Sequence, residues 1–166
     1  MRTPGMTPAD RRSDAEWLAW TIDLATRNVA DGGGPFAAFI VRAGVELGRG
    51  VNRVTLDNDP TAHAEVCAIR AACALLNDFR LPGATLYASC EPCPLCLSAS
   101  LWARVDRVLF AADRYDAAHA GFDDLQFYEL FAKDRVLWPT VVAKMSMAEG
   151  AAPFEAWLSS PDRLQY

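Results

Sequence analysis

The sequence predicts an α/β protein, a three-layer αβα sandwich around a five-stranded mixed sheet. Three observations predict it. Short apolar runs alternate with amphipathic stretches along most of the chain, the pattern of strands and covering helices. The first two runs are joined only by "RAG", a hairpin-length link that makes them antiparallel neighbours. The later runs are separated by helical stretches, so the sheet mixes strand directions.

Each element follows in order. Residues 1–13 carry no apolar segment and read as a flexible leader. Trp17, Leu18, Ile22, Leu24, Ala25 and Val29 mark a first helix, which "DGGGP" breaks. "FAAFIV" (36–41) is a continuous apolar run, the mark of a buried strand, and residues 45–54 return as its partner. "DNDPT" is turn chemistry, with Thr61 placed to cap the next helix. Val66, Ile69, Cys73 and Leu76 give that helix its apolar face. "ATLYAS" (84–89) is a strand, 94–102 a helix, 105–111 a strand, 124–131 a helix and 136–144 the fifth strand. The domain spans 14–150, and 151–166 forms a C-terminal segment.

Bulk composition narrows the function. A chain of 166 residues with 52% apolar and 22% charged residues is one globular domain with a core of its own. No apolar run approaches the length of a membrane span, and the N-terminus lacks a secretory h-region, so a cytoplasmic protein is expected. The net charge of −5 counts against a nucleic-acid partner. Five cysteines are present, and Cys90, Cys93 and Cys96 crowd into "SCEPCPLC". In a reducing compartment such a cluster points to metal or catalysis rather than disulfides.

His63 stands at the start of one helix and "EPCPLC" at the start of another. First-turn side chains fan around a helix end whose free N–H groups favour anions, thiolates included. His63, Cys93 and Cys96 can therefore meet on one ion, and their N/S mix points to zinc. Pro92 keeps Glu91 out of helical geometry, which leaves Cys90 at a strand end. If Cys90 joined, the site would be a closed Cys3His staple. If it does not, three protein ligands leave a position open for water, as catalytic zinc requires. Glu65, two residues past His63, fits a proton carrier beside that water better than a fourth ligand. By itself it would be an ordinary acidic residue in a first helical turn.

"HAE" (63–65) with "PCPLC" (92–96) fits the H-x-E … P-C-x-x-C signature of zinc-dependent nucleobase deaminases. With "GPFAAFIV", "GVNRVTLDNDPTAHAEVCAIRAA", "AGFDD" and the terminal "PFEAW…QY", residues 34–166 resemble the guanine deaminases of the cytidine/deoxycytidylate deaminase superfamily. The zinc motif is specific for the superfamily; "AGFDD" and the aromatic C-terminus narrow it further. The resemblance implies a cytidine deaminase-like fold and one zinc per chain on His63, Cys93 and Cys96. It implies that water at zinc attacks C2 of guanine, with Glu65 shuttling protons, to give xanthine and ammonia. Asn52, Asp124, Phe36 and Ala64 would contact the purine. It further implies a homodimer with exchanged C-terminal segments, Tyr166 closing over the partner's active site. Cys90 would not be a ligand. "DDLQF" and "SASLWA" depart from the family pattern, which leaves guanosine or an ammeline-type triazine as alternative substrates, with tRNA adenosine further off.

Other features read as structure. "DGGG" lacks the Gly-Lys-Ser/Thr of a phosphate loop. Cys67 and Cys73 read as small buried hydrophobes and Trp102 as core or dimer interface. His119 has no partner pattern, and Asp123 competes with Asp124 for the acidic contact.

Overall fold

Ser13 opens the first helix by a reciprocal cap. Its hydroxyl accepts the Glu16 N–H at 3.3 Å, and the Glu16 carboxylate accepts the Ser13 N–H at 2.7 Å. The helix, α1 (Asp14–Ala30), buries Trp17, Thr21, Ala25 and Asn28, spaced by three and four along one face. The computed structural model describes residues 12–165.

Strands β1 (Ala37–Arg42) and β2 (Val45–Val51) form the expected antiparallel hairpin. β1 also pairs antiparallel with β3 (Ala84–Cys90), and β3 pairs parallel with β4 (Arg107–Ala112). The spatial order is β2-β1-β3-β4, a mixed sheet. Alternation along β1 sends Phe39 and Val41 to the α1 face, where they meet Trp17 and Tyr87. Ala38 and Ile40 point the other way, into a core with Ala64, Ala68, Ala72 and Leu86. That second face is covered by α3 (Ala64–Leu76), with α4 (Pro94–Trp102) beside it. β3 is buried along its whole length because both of its faces are covered. Full burial of side chains such as Ile40 and Leu86 contributes about 2 kcal/mol each.

The α3 helix lies unusually close to β2. A Cβ on Gly48 would come within 2.6 Å of the Ala72 nitrogen. One on Gly50 would come within 2.2 Å of the Ala64 carbonyl oxygen. Two glycines on the strand facing a stripe of Ala64, Ala68 and Ala72 thus set the height of α3 over the sheet. The start of α3 is the start of the site.

Several expectations need correction. The sheet has four strands among the described residues, not five. Residues 136–144 hold no strand: Asp134 accepts the Val136 N–H at 3.2 Å and starts a 3₁₀ turn (Arg135–Leu137), and Pro139 follows an extended Trp138. A strand needs a neighbouring edge to satisfy its backbone, and none is available within residues 131–165. β2 stops at Val51, and a one-turn helix, α2 (Val54–Asp57), takes its predicted end. His63, not Thr61, caps α3. Short helices α5 (Arg114–His119) and α7 (Ala152–Ser159) were not foreseen, whereas α6 (Asp124–Phe131) was.

Two compact units divide at Leu130/Phe131. The first contains the sheet, α1 to α5 and α6 as far as Leu130. The second contains the 3₁₀ turn and α7; in it Phe131 and Trp138 meet edge to face, 5.0 Å apart. It also leaves much apolar surface open, with Val136 and Met145 each 82% exposed.

Candidate metal and active site

Both arms of the site begin at helix N-caps. His63 is the N-cap of α3, with extended backbone (φ −68°, ψ 150°), and Cys93 is the N-cap of α4 (φ −63°, ψ 170°). Pro94 at the first helical position favours this geometry: it lacks the N–H that would go unsatisfied there, and it holds Cys93 out of the helix. Glu65 then falls in the first turn of α3, and Cys96 in the first turn of α4.

The three ligating atoms form a tight triangle. Nδ1 of His63 lies 3.6 Å from Sγ of Cys93 and 3.4 Å from Sγ of Cys96; the two sulfurs are 3.7 Å apart. Tetrahedral zinc with ordinary bond lengths requires about 3.8 Å between two sulfurs and about 3.6 Å between sulfur and nitrogen. The residues fit the ion, through Nδ1 rather than Nε2. Cys90 does not join them. Its thiol donates to the Asp113 carbonyl oxygen at 3.4 Å, and burial pushes its pKa up to about 12. Among the described residues only His63, Cys93 and Cys96 form such a cluster. Among the described residues no fourth side chain completes a closed staple, so an ion held by these three would keep a coordination position for water.

The donor set also has the charge of a cation site. The Cys93 thiol is drawn down, first by its hydrogen bond with Cys96 and then, against its own burial, by His63. Cys96 is pushed up by its hydrogen bond with Cys93 and by burial. The pair thus favours one thiolate, and a bound cation would favour the second. Glu65 is buried, with Oε2 3.3 Å from Sγ of Cys96, and desolvation raises its pKa to about 7.

A cavity of about 200 Å³ opens beside this cluster. It is smaller than the ~300–1,000 Å³ clefts that take drug-sized ligands. Five residues singled out from the sequence line it: Phe36, Asn52, His63, Glu65 and Asp124. Asp124 does so rather than Asp123, which is exposed. Burial raises the Asp124 carboxyl, and so does the nearby Cys93. The Asn52 side-chain oxygen accepts the Val54 N–H at 3.3 Å, so Nδ2 is the donor this side chain adds to the wall. Ala64 does not line the cavity. Its side chain is wholly buried in the core, although it stands between His63 and Glu65 at the start of α3. Tyr166 lies outside the described residues, as does most of the predicted leader. His119 and Trp102 are exposed, and Cys67 and Cys73 are only half-buried.

The family model for the cytidine and deoxycytidylate deaminase zinc-binding region matches residues 11–112. The chain belongs to the cytidine and deoxycytidylate deaminase family. It is 44% identical to the guanine deaminase of Bacillus subtilis over 151 residues, covering 90% of this chain and 97% of that one. The crystal structure of a Bacillus subtilis guanine deaminase matches with a TM-score of 0.90 at 42% identity, over 93% of this chain and 99% of that one. A tRNA-specific adenosine deaminase of Buchnera aphidicola is 37% identical over 100 residues, 60% of this chain and 62% of that one.

The deaminase site contains residues that the sequence alone did not single out. Val54, Thr55, Glu91 and Phe122 complete the cavity wall, with Phe122 edge-on to Phe36 at 4.8 Å. Asn28 of α1 donates from Nδ2 to the Gly34 and Asn52 carbonyls, at 2.8 and 2.9 Å, and so holds Asn52 from behind. Each of these wall residues had a signal in its motif: Glu91 stands inside the cysteine motif, Phe122 inside "AGFDD", and Val54 and Thr55 beside Asn52 in "GVNRVT". A larger groove of about 750 Å³ lies between α1 and the end of β4, but no titratable side chain lines it. No helix among the described residues is long and apolar enough to cross a membrane.

Proposed function

We propose that this deaminase hydrolyses guanine to xanthine and ammonia. The observation that carries the reading is the buried Glu65 carboxyl set between a three-ligand metal group and a base-sized cavity. The likeness to the Bacillus subtilis enzyme along nearly the whole of both chains supports guanine as the base. His63, Cys93 and Cys96 would hold zinc, which when bound lowers the pKa of water to about 7 and polarises the reacting centre. Glu65 takes one proton from the attacking water and delivers one to the departing nitrogen, so its carboxyl ends as it began. A pKa near 7 suits both transfers. Asp124 accepts from the N–H edge of the base, and Asn52 donates from Nδ2 to a ring acceptor. Phe36 and Phe122 form the apolar wall, and the Ala64 backbone N–H, at the first position of α3, would serve as a further donor.

We also propose a homodimer in which the C-terminal segment, residues 151–166, is exchanged and Tyr166 closes the partner's cavity. The exposed apolar side chains of the second unit support an associated state, among them Phe154 (70% exposed) and Leu158 (65%). The free cysteines suit a cytoplasmic, reducing location.

The deciding experiment measures ammonia release by zinc-loaded protein with guanine, guanosine, adenine, cytosine, cytidine, ammeline and a tRNA anticodon stem-loop. Guanine should be turned over fastest; a higher kcat/KM for any other member replaces the reading. Deleting Tyr166 should cripple turnover while zinc stays near one per chain, and unchanged turnover would exclude the closing role.

A further inference from the structure

The loop that carries Cys93 is also held by contacts to which the chemistry above gives no role. Glu91, two residues before it and in the cavity wall, faces Arg114 at the start of α5. Oε2 of Glu91 accepts Nε–H of Arg114 at 2.8 Å and the Arg114 backbone N–H at 3.1 Å, while Oε1 accepts from Nη2. A two-pronged planar pair fixes orientation as well as distance. The same guanidinium lies over the ring of Tyr128, with Cζ 3.4 Å from the ring centroid. The Tyr128 hydroxyl in turn donates to the Pro92 carbonyl oxygen at 2.6 Å. Glu91, Arg114, Tyr128 and Pro92 therefore close into a ring, and Pro92 is the residue bonded to Cys93.

The ring has a second anchor. Tyr128 stands four residues beyond Asp124 on α6, one turn along the same face. One guanidinium thus touches both the loop that supplies a metal ligand and the helix that supplies the acidic wall of the cavity. A solvent-exposed ion pair would do little. Here Glu91, Arg114 and Tyr128 are all half-buried, the pair is bidentate, and an aromatic ring covers it.

We propose that Arg114 is a positioning residue, locking the metal-ligand loop to α6 so that Cys93 and Asp124 keep a fixed spacing. The part concerning Asp124 rests on the purine-binding reading above; the part concerning Cys93 does not. Arg114 touches neither metal nor substrate and acts through Glu91 and Tyr128.

The test uses the full chain with Arg114→Ala, Arg114→Lys, Tyr128→Phe and the double variant Arg114→Ala/Tyr128→Phe. Zinc affinity is measured by competition with a chromogenic chelator, and kcat and KM with guanine. Arg114→Ala and Tyr128→Phe should each weaken zinc binding about tenfold or more, as loss of an outer-shell partner does. KM should rise by a larger factor than kcat falls. Arg114→Lys should not restore zinc affinity, because an ammonium has neither the fork nor the flat face. The double variant should be little worse than the poorer single one, since both cut the same ring. Zinc affinity within about twofold of the unaltered protein in both single variants overturns the proposal, and so do fully additive effects. If Arg114→Ala does not fold, Tyr128→Phe, which removes one hydroxyl, decides by the zinc measurement. An unaltered protein inert toward guanine would sink the purine reading but leave the zinc test of the ring standing.

Discussion

Oε2 of Glu65 lies 3.3 Å from Sγ of Cys96, inside a site where the carboxyl is almost wholly shut off from water. A carboxylate so placed is poised between proton acceptor and proton donor, because burial has lifted its pKa to about 7. The same contact places it beside the three-residue metal group, of which it is not a member. On the proposed mechanism, acid–base catalysis and metal binding should therefore come apart under mutation.

Glu65→Gln keeps the size and the hydrogen-bonding reach of the side chain but removes the proton-transfer function. Turnover should fall by about 10²–10⁴, while zinc content and melting temperature stay near those of the unaltered protein. Ammonia release and metal analysis on one preparation check both halves. Wild-type turnover in Glu65→Gln would refute the mechanism.

The three cysteines of "SCEPCPLC" should separate cleanly. Cys90→Ser retains a donor to the Asp113 carbonyl and should keep zinc and most activity. Cys93→Ser and Cys96→Ser each remove a sulfur from the triangle and should lose both. Zinc lost from Cys90→Ser would mean that the site is closed by four ligands.

Gly50→Ala adds one methyl at a point 2.2 Å from the Ala64 carbonyl oxygen and 2.6 Å from the Ala68 nitrogen. The helix must lift, and His63 and Glu65 lift with it. Overpacking of this kind costs about 1–3 kcal/mol, visible in chemical denaturation, and zinc affinity should fall as well. A variant with unchanged stability and zinc affinity would show that the tight seat of α3 is unimportant.

An alkaline effect arises far from the metal. The Tyr87 hydroxyl donates to Asp14 at 2.5 Å, and Arg107 binds the other oxygen of that carboxylate at 2.8 Å. Burial first, then Asp14, pushes the Tyr87 pKa up to about 12 from 10.0. The native state therefore holds this proton more tightly than the unfolded chain does. Its contribution is complete below about pH 10 and is lost as pH rises toward 12. Tyr87→Phe should cost about 1 kcal/mol at neutral pH and should flatten the fall in melting temperature between about pH 10 and 12. An equally steep fall in the variant would locate the alkaline loss elsewhere.

Much of this molecule is legible in its sequence because the signals are local. "FAAFIV" and "ATLYAS" are short apolar runs bounded by turn residues, which favours buried strands, and "RAG" is short enough to favour a turn. "HAE" and "PCPLC" place His63, Glu65, Cys93 and Cys96 at helix starts through chain chemistry alone, since Pro92 and Pro94 dictate where α4 begins. The misses are equally physical. The valines of 136–144 have strand propensity, but a strand exists only when another edge accepts its hydrogen bonds, and that depends on tertiary partners. Thr61 was a plausible cap by residue type, yet the chain enters α3 two residues later, at His63.

Metal chemistry is thus a property of spacing along the chain, because ligands at two helix starts need only those helices to lie side by side. The cavity wall is different. Asn28 and Asn52, or Glu91, Arg114 and Tyr128, lie on separate elements, and no periodicity relates them. They meet because the sheet order and the close seat of α3 on β2 bring those elements together. Long-range packing set Asp124 rather than Asp123 in the cavity wall, whereas Cys90 was already set apart locally, by Pro92 and its place at a strand end; which way an acidic side chain faces depends on how its helix is seated, and no local pattern encodes that.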